Sequence, residues 1–416
     1  MPARPRALII GGSVGGLFAA SLLRQIGWDV AVFERAQDDL AGRGAGIGTT
    51  GDLFTVMRRI GARISPSTGV VLRDVRWIDR SGAILCTVPR GWVTGAWGRI
   101  YRPVRDVVPS EIYHPGRTLA RVEQDGSKVS AIFTDGSHET GDLLIAADGV
   151  HSTVRRQFLP EVAARYAGYV AWRGMVEERD IPPAAHELLF GGIAHSYPDG
   201  EMTLSAPIPG AQDDIRPGHR RYYYIWYRPA HPERDLPDLV TDEEGRHHGM
   251  AIPPPLIRRA HIATLKAQAR DLLPSALADV VAGTAQPLLQ PITDLEVPRM
   301  VFGRVVLLGD AAFIARPHVA AGITKAALEA AALADALSAS PSDIDAALAE
   351  YDRDRSAFGR ALVDYSRYLG AYLAGQIKPP AERSGDELAL DPERHMREYG
   401  APHLLRDATE ADIIPT

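Results

Sequence analysis

A short apolar strand, Leu8-Ile9-Ile10, runs directly into Gly11-Gly12-Ser13-Val14-Gly15-Gly16-Leu17. A turn so rich in glycine brings backbone N–H groups close to a bound anion, and a helix beginning near Val14 aims the positive end of its dipole at the same point. A second apolar strand, Val30-Ala31-Val32-Phe33, ends in Glu34, eighteen residues past Gly16. In a dinucleotide-binding βαβ unit that is where a carboxylate grips a ribose hydroxyl. Ser13 takes the place of the middle glycine; it fits if φ stays negative there, and its hydroxyl then reaches a phosphate. The same pattern leaves an NAD-dependent dehydrogenase open. It argues against a secretory leader, because cleavage near Ala19-Ala20-Ser21 would destroy the start of the βαβ unit.

The remaining chain narrows the choice. At 416 residues it can bury a large core in two or three domains. A net charge of −6 with scattered Arg pairs offers no broad basic face for nucleic acid. No apolar run approaches membrane-spanning length, since Glu329 and Asp335 interrupt the alanine-rich stretch 326–337. The single Cys86 excludes an internal disulfide and fits a reducing cytoplasm. His247-His248 lies in a polar stretch without metal-ligand spacing, which reads as exposed surface.

Three further segments carry the organisation. Residues 69–90 and 117–145 alternate as strands, with hairpin turns at Asp125-Gly126 and Asp135-Gly136. The strand Leu143-Leu144-Ile145-Ala146 then leads to Asp148-Gly149, and Val305-Val306-Leu307-Leu308 leads to Gly309-Asp310. Both place a carboxylate at the carboxyl edge of a sheet, where doubly wound folds hold ligands. Between them, Tyr169–Gly174 and Arg221–Arg228 read as strands of a separate aromatic sheet. Period two puts Tyr222, Tyr224, Trp226 and Arg228 on one face and Tyr223, Ile225 and Tyr227 on the other. Such a sheet can wall a pocket for a flat ring or simply pack. Ile344 to Leu369 carries a helical apolar stripe suited to core packing, and the polar tail after Gln376 is expected to be weakly structured.

The glycine turn with Glu34, the Asp148-Gly149 strand end, and Gly309-Asp310-Ala311-Ala312 with Pro317 and Gly322 occur in that order over residues 5–370. Together they resemble the single-component FAD-dependent aromatic hydroxylases of the 4-hydroxybenzoate hydroxylase class. The run 309–322, with Tyr169–Gly174 and Trp226–Pro229, is most similar to the 2,6-dihydroxypyridine 3-monooxygenase branch. Phe313 and Ala320 depart from the histidine and glycine that many members carry there. The resemblance implies an α/β fold: a Rossmann-like FAD-binding domain over 1–164 with inserted strands about 69–135, and an inserted, mostly antiparallel β-sheet substrate domain over 165–290. A return to the FAD-binding domain over 291–340 and a C-terminal helical region and tail over 341–416 complete it.

Carried over by position, FAD binding falls to Gly11, Ser13, Gly16, Glu34, Arg35, Arg43, Asp148, Asp310 and Gly322. The resemblance implies hydroxylation of an electron-rich aromatic or heteroaromatic ring with NAD(P)H and O2 through a flavin C4a-hydroperoxide. No second glycine fingerprint is present, and the resemblance implies that NAD(P)H visits, reduces FAD and leaves. A related epoxidase, a Baeyer–Villiger-type oxygenase and a flavin-binding protein without turnover are the alternatives. A group that takes the substrate's proton suits such chemistry. His318, next to Pro317 in the loop beside the flavin, is the first candidate and Tyr224 the second, with His195 and Arg316 weaker. The partners expected are a small aromatic substrate and O2, without nucleic acid or membrane, in a monomer or homodimer.

Overall fold

The computed structural model describes residues 4–40, 46–211 and 214–413. Its first sheet has six strands in the order Val301–Phe302, Val305–Leu307, Leu143–Ala146, Arg6–Ile10, Asp29–Glu34 and Tyr113–Pro115. Every pairing is parallel except the outermost, Val301–Phe302 with Val305–Leu307. Parallel strands covered on both faces need continuous apolar runs, and Leu8, Ile9, Val32, Leu144, Ile145 and Val306 have no exposure at all. From the central strand Arg6–Ile10 the chain turns first to one side and later returns on the other. The crevice this opens at the carboxyl ends is where Gly11, Glu34, Asp148 and Asp310 all emerge. The helices Val14–Gln25 and Gly322–Ala339 pack against each other beside that crevice.

The second sheet has eight strands: Leu288–Asp294, Arg165–Glu177, Arg221–Pro229, Met202–Ile208, Ile193–Ser196, Val70–Ile78, Ile84–Ala96 and Gly46–Thr49. It is antiparallel save for Ile193–Ser196 against Val70–Ile78. This differs from the expectation for residues 69–135. The hairpin Val70–Ala96 joins the large sheet through Ile193–Ser196, and only residues 119–141 form a small separate three-stranded sheet. The two expected hairpin turns lie there, with Gly126 and Gly136 at φ +96° and +82°.

One face of the large sheet, with Trp172, Tyr222, Tyr224 and Trp226, is sealed by the helices Arg259–Leu272 and Ser275–Gly283. The other, with Arg173, Leu204, Tyr223 and Ile225, looks toward the crevice. The tail also departs from expectation. After the long helix Ile344–Leu369, residues 391–413 fold back over the molecule, with Met396 and Ala401 wholly buried. Their polar sequence is satisfied by long-range ion pairs, Arg90 with Asp407 at 2.6 Å and Arg58 with Asp412 at 3.4 Å, which no periodicity announces. No helix among the described residues is long and apolar enough to cross a membrane.

Candidate active site

The glycine turn shows why its residues are small. Gly11 sits at φ +109°, and a Cβ there would lie 2.2 Å from the Ala147 carbonyl oxygen. A Cβ on Gly16 would lie 2.0 Å from the Gly11 carbonyl oxygen, so the helix can start this close to the strand only with glycine. Ser13 keeps a negative φ of −81°, and its side chain makes no capping bond, leaving the hydroxyl to the cavity that it lines. The Glu34 carboxylate accepts from Gly12 N at 2.7 Å and Ala36 N at 2.8 Å, which fixes it at the crevice. Arg35 lines the same region. Arg43 lies outside the described residues. Sequence reasoning missed Arg117, which also lines this end with its guanidinium 4.4 Å from the Phe133 ring centroid.

The two acidic strand ends meet through an arginine. Asp148 accepts from Thr153 N at 2.8 Å with one carboxylate oxygen, while the other is buried without a partner; burial pushes its pKa up. Arg155, buried at the start of a short helix, donates to the carbonyls of Val150 (2.5 Å), Ala311 (3.0 Å) and Asp310 (3.4 Å). Among the described residues no hydrogen bond reaches the Asp310 carboxylate. Burial raises its pKa, and Lys325 and Arg155 pull it down. The Gly309 N–H donates to Glu329 at 2.6 Å, and Glu329 pairs with Lys325 at 3.3 Å, both side chains fully enclosed. Glu329, which the sequence marks only as a break in an apolar run, therefore holds the acidic turn. Ala321, Gly322 and Ile323 bring the N-terminus of an 18-residue helix to the cavity. The preceding Ala320 takes a left-handed φ of +48°.

Gly11, Ser13, Glu34, Arg35, Arg117, Asp148, Arg155, Asp310 and Gly322 line one cavity of about 1300 Å³, which continues to the large sheet, while Gly16, Lys325 and Glu329 stand behind its wall. Sites for a drug-sized ligand span roughly 300–1,000 Å³, so the space suits a dinucleotide together with a ring. The fit to FAD rests on three observations: a cradle that any Cβ would fill, an orphaned Asp148 oxygen, and an unpartnered Asp310 carboxylate. At the far end Trp92, Leu204, Tyr223, Ile225 and Tyr399 form the wall.

Both proton-handling candidates are corrected. Tyr224 faces away from the cavity into the helical layer, since period two gives the open face to Tyr223 and Ile225. His318 is fully buried behind the wall: its Nε2 lies 2.8 Å from the Tyr169 hydroxyl, its ring packs 4.6 Å from Tyr227, and burial drives its pKa far down. Its neighbours Arg316 and Pro317 reach the cavity instead, Arg316 being tied to Asp294 at 2.8 Å. His195 is also fully buried, its rings stacked on Tyr197. His248, expected at the surface, lines the cavity and pairs with Asp242 at 2.7 Å, while His247 is exposed. No metal-binding cluster exists among the described residues.

The FAD binding domain-like family matches residues 166–294 and the FAD binding domain family residues 273–366. The 2,6-dihydroxypyridine 3-monooxygenase of Paenarthrobacter nicotinovorans is 29% identical over 386 residues, 91% of this chain and 94% of that protein. The FAD-dependent urate hydroxylase of Klebsiella pneumoniae is 30% identical over 383 residues, 86% and 88% of the two chains. The structure of 2,6-dihydroxypyridine-3-hydroxylase from Arthrobacter nicotinovorans superposes with a TM-score of 0.83 at 28% identity, covering 90% of this chain and 94% of that one. Klebsiella pneumoniae HpxO complexed with FAD and uric acid gives 0.74 at 25% identity, covering 96% and 95%. With the glycine cradle, the two acidic turns and the single cavity in place, this chain belongs to the FAD-dependent monooxygenase family of aromatic hydroxylases.

Proposed function

We propose that the chain hydroxylates an electron-rich heteroaromatic ring seated on the open face of the large sheet, with NAD(P)H and O2 as co-substrates. The observation that carries this reading is the continuity of one cavity from Gly11 and Glu34 to Trp92, Tyr223 and Ile225. Bound FAD supplies hydride acceptance and oxygen activation. The protein's part is to bind, orient and keep water out. Glu34 and the glycine turn hold the adenosine end, with Ser13 and Arg35 beside the phosphates. Asp310 would accept from a ribityl hydroxyl, and Asp148 would offer its spare oxygen to the same region. The helix N-terminus at Gly322 lines the same cavity, where its dipole would favour negative charge developing on a bound flavin. Trp92, Ile193, Leu204 and Ile225 form an apolar wall, which strengthens every polar contact to the substrate. Tyr223 takes the place assigned to Tyr224: the residue lines the cavity, and its buried hydroxyl lacks a partner.

The test is a screen of hydroxypyridines, hydroxybenzoates and larger phenols for accelerated NAD(P)H oxidation by the yellow holoenzyme, with product mass read under labelled O2. One labelled oxygen on the ring is the expected outcome. Oxygen inserted beside a carbonyl or across an alkene would select a related oxygenase, and the absence of any stimulated oxidation would overturn turnover altogether.

A further inference from the structure

Arg173 stands apart from the other cavity arginines that are not exposed at the surface, whereas Arg35 and Arg156 lie exposed. Arg316 is paired with Asp294, and Arg155 donates to three carbonyls. Arg173 lies on the strand Arg165–Glu177, directly across from Ile225 and next to the row that continues to Leu204. It is enclosed by protein except toward the cavity, and no carboxylate among the described residues pairs with it. Its neighbours are Tyr223, Tyr227 and Tyr399. The Tyr223 hydroxyl lies beside the guanidinium without closing a well-aligned bond, so that Arg173 Nε and the hydroxyls of Tyr223 and Tyr227 are all buried without a partner. Burial keeps the three phenols protonated, although Arg173 pulls Tyr223 the other way. Neutral hydroxyls solvate a cation but do not cancel it. Arg173 is a half-buried cation at the wall of a ligand cavity with no carboxylate beside it, a position that favours a ligand bringing the opposite charge.

We infer that the sheet side of the cavity is built for an anionic ring, whose carboxylate or ionised hydroxyl is received by Arg173 with Tyr223 and Tyr399 beside it. This rests on the proposed hydroxylase reading of the same site. The planar fork of guanidinium N–H groups matches two oxygens of a carboxylate, or one ring oxygen and its neighbour. The apolar row Leu204 and Ile225 keeps water away, so the pairing discriminates strongly between charged and neutral rings. The phosphates of the dinucleotide are served elsewhere, by the glycine turn and its helix, which leaves Arg173 to the ring.

The test uses holoenzyme and the absorbance change of its flavin on ligand binding, with two matched pairs: 4-hydroxybenzoate against 4-hydroxybenzamide, and ionised 4-nitrophenol against 4-nitroaniline. The anionic member of at least one pair is expected to bind about 30-fold or more tightly, the scale of one buried charge pair. The pair that responds tells whether the charge belongs to a carboxylate or a ring oxygen. Arg173→Gln is expected to abolish the preference, and Arg173→Lys to keep part of it. On whichever ring the turnover screen finds, Arg173→Gln is expected to raise KM by a similar factor with kcat less affected. Equal binding of charged and neutral members by the unaltered enzyme, or a preference that survives in Arg173→Gln, would overturn the inference. Weakened FAD affinity in Arg173→Gln, with the anion preference intact once the variant is saturated with FAD, would overturn the inference and reassign the arginine to the cofactor. A screen that finds no turned-over ring at all would instead sink the hydroxylase reading.

Discussion

Ala320 is the residue at which local strain and the cavity meet. It takes φ +48°, a region that costs a residue with a Cβ about 1–2 kcal/mol, and glycine is what many members of this family carry there. Ala320→Gly is expected to leave Tm unchanged or slightly raised, since relief of strain is offset by the greater freedom of glycine in the unfolded chain. Ala320→Val is expected to lower stability by about 2 kcal/mol or more. A marked loss in the glycine variant would mean that contacts of the Ala320 methyl with the wall around Trp92 outweigh its strain. Individual residues were unevenly legible. Glu34, Asp148 and Asp310 follow from their place at strand ends, because the carboxyl edge of a parallel sheet is fixed once the strands are known. Glu329 was not legible, because its partner is a backbone N–H twenty positions away. His318 shows the converse: adjacency to a cavity loop does not say which way a ring turns, and here it turns inward to Tyr169.

For the strand Arg221–Pro229, alternation gives two faces from the sequence, but which one is open depends on where the helices Arg259–Leu272 and Ser275–Gly283 settle. Tyr223→Phe is expected to lower kcat/KM about tenfold, the loss of one hydrogen bond to a charged or polarised oxygen. Tyr224→Phe is expected to leave kcat/KM within about twofold and stability unchanged or up to about 1 kcal/mol higher, because it removes a buried hydroxyl that lacks a hydrogen-bond partner. Steady-state kinetics and thermal melts of the two variants read both outcomes, and a reversal of their roles would restore Tyr224 to the site. The hairpin Val70–Ala96 was legible as strands but not as part of this sheet. Its edge is bonded to Ile193–Ser196, a short segment with little pattern of its own.

Across the whole molecule, the returning segment 391–413 connects the two halves. It brings His395 into a buried group with His195, His318, Tyr197 and Tyr399, all within ring-contact distance. Arg90, Arg316 and Arg394 are the charges that act on these histidines, each itself paired with a carboxylate, Asp407, Asp294 and Asp386 respectively. Burial first, and then these cations, hold all three neutral, His395 with a pKa of about 4. The unfolded chain binds protons on them near the ordinary histidine range. Stability from this group is therefore complete above about pH 6.5 and is lost as the pH falls toward 4, on the order of 3 kcal/mol for His395 alone. Denaturant unfolding of the unaltered protein and of His395→Gln between pH 7 and 4.5 checks this. The difference between the two is expected to shrink as the pH falls, and a constant difference would remove His395 from the effect.

Tyr399 closes the wall of the cavity from this same segment, while the opposite end of the cavity is made by Gly11. During translation the glycine turn leaves the ribosome first and Tyr399 long after both sheets have been made. The residues that line the dinucleotide end, from Gly11 to Ile323, are thus all present in the growing chain before Tyr399 completes the wall on the ring side.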